Sequence, residues 1–116
     1  MDFKLIIALV ADDHTDKIIE TARQKGATGA TVITSGRGEG LKPHKSFLGL
    51  TIEGQMDMVL FIVEKHLSRE ILESIGKSGH FDSESGAGVV MQLDIEDVIG
   101  LKSQLKTIKD EIADQL

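Results

Sequence analysis

The chain has 116 residues, a formal charge of −6 at pH 7 and no cysteine. This length predicts one domain with a sizeable core of its own, and the lack of cysteine excludes disulfides, thiol catalysis and Cys-ligated zinc and fits a cytoplasmic location. The acidic balance argues against nucleic acid as a partner, because phosphates require a basic footprint, and no apolar run approaches the roughly 20 residues that span a bilayer.

The chain begins with a predicted strand and helix. Residues 3–11 are rich in Ile, Leu and Val and end at Asp12 and Asp13, which is typical of a buried central strand. We expect one of these aspartates to cap a helix that stops at Gly26. The apolar face of that helix comprises Ile18, Ile19 and Ala22.

A short β-branched segment, residues 29–34, predicts the second strand. Residues 36–55 follow with five glycines, the only proline and no sustained hydrophobic period, which predicts a long functional loop. Its tip is basic and apolar on an acidic protein, and this suits a loop that docks into a partner. The predicted docking residues are Lys42, His44, Lys45, Phe47 and Leu48. The alternative is that residues 47–52 fold back as an extra strand.

The second half predicts a strand, a helix and a further strand. Residues 57–64 form an apolar run that predicts a third buried strand, and Ser68 is expected to cap the next helix. Gly76 and Gly79 are expected to end that helix. The remaining predicted elements are a polar loop at 79–88, a fourth strand at 89–93 and a short fifth strand at 98–101.

The order β-α-β-loop-β-α-β predicts an α+β, ferredoxin-like fold in which two helices cover a four-stranded antiparallel sheet. We expect residues 1–102 to form this domain and residues 103–116 to add an amphipathic C-terminal helix. The face of the sheet without helices needs cover, and another copy of the chain is the simplest cover.

Five segments together resemble the PII signalling family. They are KLIIA at 4–8, GATV at 29–32, the loop at 36–55, the Gly-rich loop at 79–88 and IEDVI at 95–99. The resemblance implies a homotrimer that binds an adenine nucleotide (AMP, ADP, ATP or a cyclic nucleotide, with or without Mg²⁺ or bicarbonate) in clefts between subunits. It also implies that the long loop, the T-loop of the family, controls a membrane transporter or an enzyme.

The resemblance also implies which residues bind the nucleotide. They are Ile7, Gly29, Thr31, Gly36, Arg37, Gly38, Val63, Gly86, Gly88 and Lys102. The family has further cations where Glu39, Val89 and Gly100 stand here, and the loop at 79–88 is acidic. Because carboxylates repel a triphosphate, we expect a less charged or metal-bridged ligand. The chain has no tyrosine, so it resembles a divergent PII-like protein and not a nitrogen regulator proper.

Other functions find less support in the sequence. No nucleophile elbow, Ser-His-Asp spacing or acid pair stands out, so we expect no enzyme activity. No two histidines have metal-ligand spacing, so no metal site is predicted, and His80 with Asp82 and Glu84 is the best candidate for one. The alternatives are an ACT-like amino-acid-binding module, which shares the strand order, and a CutA-like trimeric metal-binding protein.

Overall fold

The computed structural model describes residues 2–36, 46–47, 50–51, 56–84 and 86–101. The strands in these ranges are β1 (Phe3–Ala11), β2 (Thr31–Gly36), β3 (Ser46–Phe47), β4 (Leu50–Thr51), β5 (Met56–Glu64) and β6 (Gly88–Asp94). The helices are α1 (Thr15–Gln24) and α2 (Lys65–Ser78), and a 3₁₀ turn spans Asp12–His14. The predicted domain end at residue 102 and the predicted helix at 103–116 lie outside the described residues.

The main sheet has four antiparallel strands in the order β2-β5-β1-β6. The central strand β1 pairs with β5 on one side and with β6 on the other, and β2 pairs with the far side of β5. Both helices contribute to one core on the same face of this sheet. The predicted α+β, ferredoxin-like fold is therefore confirmed.

The core lies between the sheet and the two helices. Because side chains alternate along a strand, every second residue of β1 and β5 faces the helices. In each helix the buried residues recur mainly three or four positions apart, which is the helical spacing that the apolar pattern predicted. The main core residues are Ile6, Ala8, Val10, Ile18, Ala22, Val59, Phe61, Val63, Ile71 and Ile75. Phe61 is 1% exposed, and its burial alone contributes roughly 1.5–3 kcal/mol.

The opposite face of the sheet, which we name the open face, carries no helix among the described elements. Its side chains occupy the alternate positions of the same strands and, away from the strand ends, all but Thr31 are apolar. These are Leu5, Ile7, Leu9, Thr31, Ile33, Met56, Met58, Leu60, Ile62, Val89, Met91 and Leu93. Ile33 is 48% exposed and Ile62 is 45% exposed. A continuous apolar surface of this kind marks an interaction site.

The start of α1 differs from the prediction. Asp12 and Asp13 form the 3₁₀ turn and do not cap the helix, which begins at Thr15 behind His14 without a side-chain capping bond. The predicted end is confirmed, because Gly26 adopts φ 111 just after the helix. Glycine reaches this left-handed region without the steric cost that a side chain brings.

The start of α2 also differs from the prediction. The cap is Glu64, whose carboxylate accepts a hydrogen bond from the backbone N–H of His66 at 2.7 Å. Ser68 lies inside the helix, and its hydroxyl donates to the carbonyl of Lys65 at 2.8 Å. A carboxylate satisfies a free N–H at a helix start as well as a serine does, so α2 begins before the predicted serine.

Two further expectations concern segments outside the main sheet. Residues 98–101 form no strand, so the predicted fifth strand is wrong, and Ile99 is fully exposed. Within the predicted loop at 36–55, β3 pairs with β4 as a separate two-stranded ribbon. This ribbon resembles the alternative prediction, in which residues 47–52 fold back as an extra strand.

Alanine is predicted to have opposite effects on stability at two glycines, Gly76 inside α2 and Gly79 at its C-cap. A Cβ on Gly76 would lie 3.8 Å from Cγ1 of Val90, an ordinary contact, so Gly76→Ala gains helix propensity of about 1 kcal/mol. A Cβ on Gly79 would lie 2.3 Å from the Phe81 ring, so Gly79→Ala destabilises by about 1–3 kcal/mol. Thermal unfolding followed by circular dichroism measures both, and a lower midpoint for Gly76→Ala would contradict this packing.

Candidate functional site

The loop between α2 and β6 begins with a Schellman-type end of the helix. The N–H of Phe81 donates to the carbonyl of Gly76 at 3.0 Å, and the N–H of His80 donates to the carbonyl of Lys77 at 3.2 Å. The left-handed residue of this motif is usually glycine, but here it is His80, with φ 56. Gly79, one position earlier, keeps a right-handed conformation with φ −87.

The ring of Phe81 explains why glycine stands at both ends of this loop. A Cβ on Gly79 would lie 2.3 Å from the ring, and a Cβ on Gly88 would lie 2.6 Å from the ring and 2.9 Å from the carbonyl oxygen of Leu9. The ring also packs against the core. Gly88, a predicted nucleotide contact, therefore has a packing role of its own.

A groove of about 1100 Å³ lies between α2, this loop and the start of β6. Arg69 and Glu73, which both lie on α2 at the rim of the groove, are joined by a hydrogen bond of 2.7 Å. Their charges therefore offset each other. The rim also contains Lys77 and the two carboxylates Asp82 and Glu84. The loop is therefore as acidic in the structure as the sequence predicts.

Backbone N–H groups in the groove include one beside a left-handed residue. Gly86 lines the groove and adopts φ 80, and within the described residues its N–H donates no hydrogen bond. The next residue, Ala87, is 7% exposed and donates its N–H to the carbonyl of Glu84 at 3.2 Å. Because backbone N–H groups around left-handed residues bind anions in other proteins, the N–H of Gly86 is a candidate donor to an anion.

The root of the T-loop segment contains a buried carboxylate that sequence reasoning missed. The chain leaves the sheet at Gly36 and returns at Met56, its partner in the ladder, across a register shift. Asp57 is 6% exposed and accepts a hydrogen bond of 2.5 Å from the hydroxyl of Thr15 at the start of α1. The available signal was a carboxylate near the start of β5, directly before the apolar run of that strand.

The remaining predicted site residues lie far apart in one chain. Thr31, Leu60, Ile7 and Met91 form one row across the open face, whereas Val63 is 3% exposed in the core on the other face. Gly29 precedes β2, and a Cβ there would meet nothing within 4 Å. Arg37, Gly38 and Lys102 lie outside the described residues, as do the docking residues Lys42, His44, Lys45 and Leu48.

The two glycine motifs of the predicted site lie at opposite edges of the sheet. Thr31 and Gly36 belong to the edge strand β2, and Gly86 and Gly88 belong to the turn and strand at the other edge, β6. Three strand spacings separate these edges, which is about 14 Å. One chain therefore does not bring the two motifs together.

An ion pair lies at the far end of β6, where the IEDVI segment begins. Lys4 donates a hydrogen bond to Asp94, and this bond, followed by the charge of Lys4, lowers the pKa of the Asp94 carboxyl. Any stability that the ion pair adds is fully present when the pH is above the ordinary carboxyl pKa. It is lost as the pH falls through the lowered pKa of Asp94. Because Asp94 is 84% exposed, solvent screens the pair and its contribution is small.

Within the ranges that the structure describes, no group of three or more His, Asp or Glu side chains could hold a metal ion, so His80, Asp82 and Glu84 do not assemble into such a group. No helix in those ranges has both the length and the apolar character needed to cross a membrane.

The family model for nitrogen regulatory protein P-II matches residues 3–104. The chain belongs to the P-II family. The match includes all five segments that carried the resemblance, so the interpretation of the chain as a divergent PII-like protein is confirmed. P-II proteins act as regulators and not as enzymes. No curated protein matches the sequence.

Solved structures similar to this P-II protein agree on the fold. CPII from Thiomonas intermedia K12, bound to ADP, AMP and acetate, has a TM-score of 0.65 and 20% identity over 86% of this chain and 92% of that chain. The same protein bound to ADP and bicarbonate has a TM-score of 0.62 and 21% identity over 82% and 87%. CutA1 from Pyrococcus horikoshii has a TM-score of 0.67 and 16% identity over 93% and 96%. Identities this low show the fold alone.

The bond between Thr15 and Asp57 predicts a measurable loss of stability. Thr15→Val would leave a buried carboxylate without its donor, and we expect the free energy of unfolding to fall by about 1–3 kcal/mol. The matched control is Thr21→Val, because Thr21 donates to the carbonyl of Lys17 on the exposed side of the same helix. Surface changes of this kind stay within about 0.5 kcal/mol. Equal losses for both variants in urea denaturation would contradict a special role for Asp57.

Proposed function

We propose that this P-II protein is a homotrimeric cytoplasmic regulator that senses an adenine nucleotide in the clefts between its subunits. Its T-loop passes the ligand state to a partner, either a membrane transporter or an enzyme. The observation that carries the proposal is the position of the two glycine motifs at opposite edges of one sheet.

The open face supports the trimer. It is apolar across all four strands, and Ile33, Met58, Ile62 and Leu93 are each at least 36% exposed. Covering such surface contributes about 25 cal/mol for each Å² removed from water. A second copy of the chain offers the same apolar surface, so association of copies buries it without any foreign partner.

The separation of the motifs supports a cleft between subunits. If the β2 edge of one copy lies beside the β6 edge of the next, Thr31 and Gly36 from one chain approach Gly86 from another. In a closed ring of three copies this contact occurs three times. Each cleft then combines an apolar wall from the open face with backbone donors from the turn before β6.

The charge of the groove favours a nucleotide with few phosphates. Asp82 and Glu84 line it, and each further phosphate adds negative charge near them. At about 10 Å and an effective dielectric constant of about 20, one such pair of charges costs about 1.7 kcal/mol, or roughly a factor of ten to twenty in affinity. ADP and AMP are therefore the preferred ligands, consistent with the nucleotides bound by the structurally similar CPII.

The root of the T-loop provides a physical route from ligand to partner. Gly36, a predicted nucleotide contact, pairs with Met56, and the adjacent Asp57 is tied to α1 through Thr15. A ligand that displaces Gly36 therefore acts on the point where the loop joins rigid structure. A register shift lies at this point, and such irregularities are common beside functional sites.

Calorimetry with the purified protein tests the ligand. We expect ADP and AMP to bind about tenfold more tightly than ATP in the absence of Mg²⁺, and we expect Mg²⁺ to reduce that difference, because it offsets the phosphate charge. Amino acids and divalent metals alone serve as the comparison ligands. Tight binding of an amino acid, or of a metal without nucleotide, would replace the proposal with the ACT-like or the CutA-like function.

A single charge on the open face tests the trimer. Ile62→Glu places a carboxylate on the apolar surface that the copies are proposed to share, and burying an unpaired charge is strongly unfavourable. We expect the mass from light scattering to fall from that of a trimer to that of a monomer, with the helical content unchanged. Lys17→Glu, on the exposed side of α1, is the control and should remain trimeric. A trimeric Ile62→Glu protein would exclude the open face as the interface.

A further inference from the structure

One aromatic side chain links the two ends of the loop between α2 and β6. The ring of Phe81 is close enough to Gly79 and to Gly88 that neither position has room for a Cβ. Gly79 caps α2 and Gly88 begins β6, so the ring contacts both points at which the loop joins regular structure. It also packs against the core, which fixes its own position.

The backbone of the loop turns at His80, the residue directly before Phe81. His80 adopts φ 56, a conformation that costs a residue with a side chain. The carbonyl of His80 accepts hydrogen bonds from the N–H groups of Ser83 at 3.2 Å and Glu84 at 2.9 Å. The left-handed conformation of His80 turns the chain, and the side chain of Phe81 packs against the core. A second turn, from His80 to Glu84, follows directly.

The Phe81 ring also bears on the position of Gly86, because it contacts a residue close to Gly86 in the chain. Ala87 is held by its bond to Glu84 and by burial, and Gly88 is held between the ring and the carbonyl of Leu9. Gly86 stands directly before these two fixed residues, and within the described residues its N–H donates no hydrogen bond. Removal of the Phe81 ring would release Gly88, which is only two positions after Gly86 in the chain.

We propose that Phe81 is a positioning residue for phosphate recognition: its ring, held between Gly79 and Gly88, aims the N–H of Gly86 at a phosphate of the bound nucleotide. This inference rests on the proposed function, because it assumes that the groove forms part of the nucleotide cleft. Phe81 itself touches no phosphate. A donor that is already aimed binds more tightly, since no ordering of the loop is needed on binding.

The test compares Phe81→Ala and Phe81→Leu with Ile19→Ala. Ile19 is also partly buried and packs against the same core, but it lies in α1 and away from the groove and the open face, so it controls for the general loss of an apolar side chain from the core. Calorimetry with ADP and with adenosine separates phosphate recognition from recognition of the base. We expect Phe81→Ala to weaken ADP at least tenfold and adenosine less than threefold, with Phe81→Leu in between. Ile19→Ala should change both affinities less than twofold.

Amide hydrogen exchange supplies a readout that does not need the ligand. Without nucleotide, the amides of residues 82–88 should exchange at least tenfold faster in Phe81→Ala than in the wild type, and Ile19→Ala should leave them unchanged. If Phe81→Ala does not fold, Phe81→Leu carries both measurements.

The outcomes separate the two proposals. A wild-type protein that binds no adenine nucleotide overturns the proposed function, and the phosphate role of Phe81 with it. A wild-type protein that binds ADP, with unchanged ADP affinity or equal losses for ADP and adenosine in the Phe81 variants, overturns the positioning role alone.

Discussion

A sheet with helices on one face only must bury its other face elsewhere, and this constraint underlies the whole molecule. The alternation of side chains along β1 and β5 sends half of their apolar residues to the helices and half to the open face. The first half forms a complete core within one chain, with Phe61 at its centre. The second half is left on the surface of the single chain. The fold and the proposed association therefore follow from the same pattern.

The proposed site depends on that constraint as well. This chain carries its glycine motifs at the two edges of the sheet, on β2 and at the start of β6, and edge strands are the positions where copies of a sheet protein can meet. In the proposed trimer, ligand binding between such edges would link occupancy to assembly, because a molecule that contacts two chains stabilises their contact by mass action. The acidic rim of the groove would then select among ligands by charge.

The sequence was sufficient for the elements whose signal is local. Residues 3–11 and 57–64 are long apolar runs, and they became β1 and β5 with almost the predicted bounds. The start of α2 was misplaced because a glutamate at the end of a strand also serves as the cap of the following helix. A serine nearby offered a more familiar signal, but its hydroxyl bonds inside the helix.

The parts that the sequence could not provide depend on contacts between distant residues. Thr15 and Asp57 are 42 positions apart, and nothing local marks them as partners. Gly88 was predicted from a family motif, yet its neighbours are the ring of Phe81 and the backbone of Leu9, which only the folded chain brings together. Similarly, a histidine in the left-handed region at position 80 has no signature in the sequence, because glycine at 79 offers the more usual stop.

The open face also places methionines where oxidants can reach them. Met56, Met58 and Met91, three of the four methionines, lie on it. Conversion of a methionine to its sulfoxide turns a flexible apolar side chain into a polar one, and reductases reverse the change. If copies associate through this face as proposed, peroxide would weaken the assembly, whereas the helix-covered core of the described residues contains no methionine to oxidise.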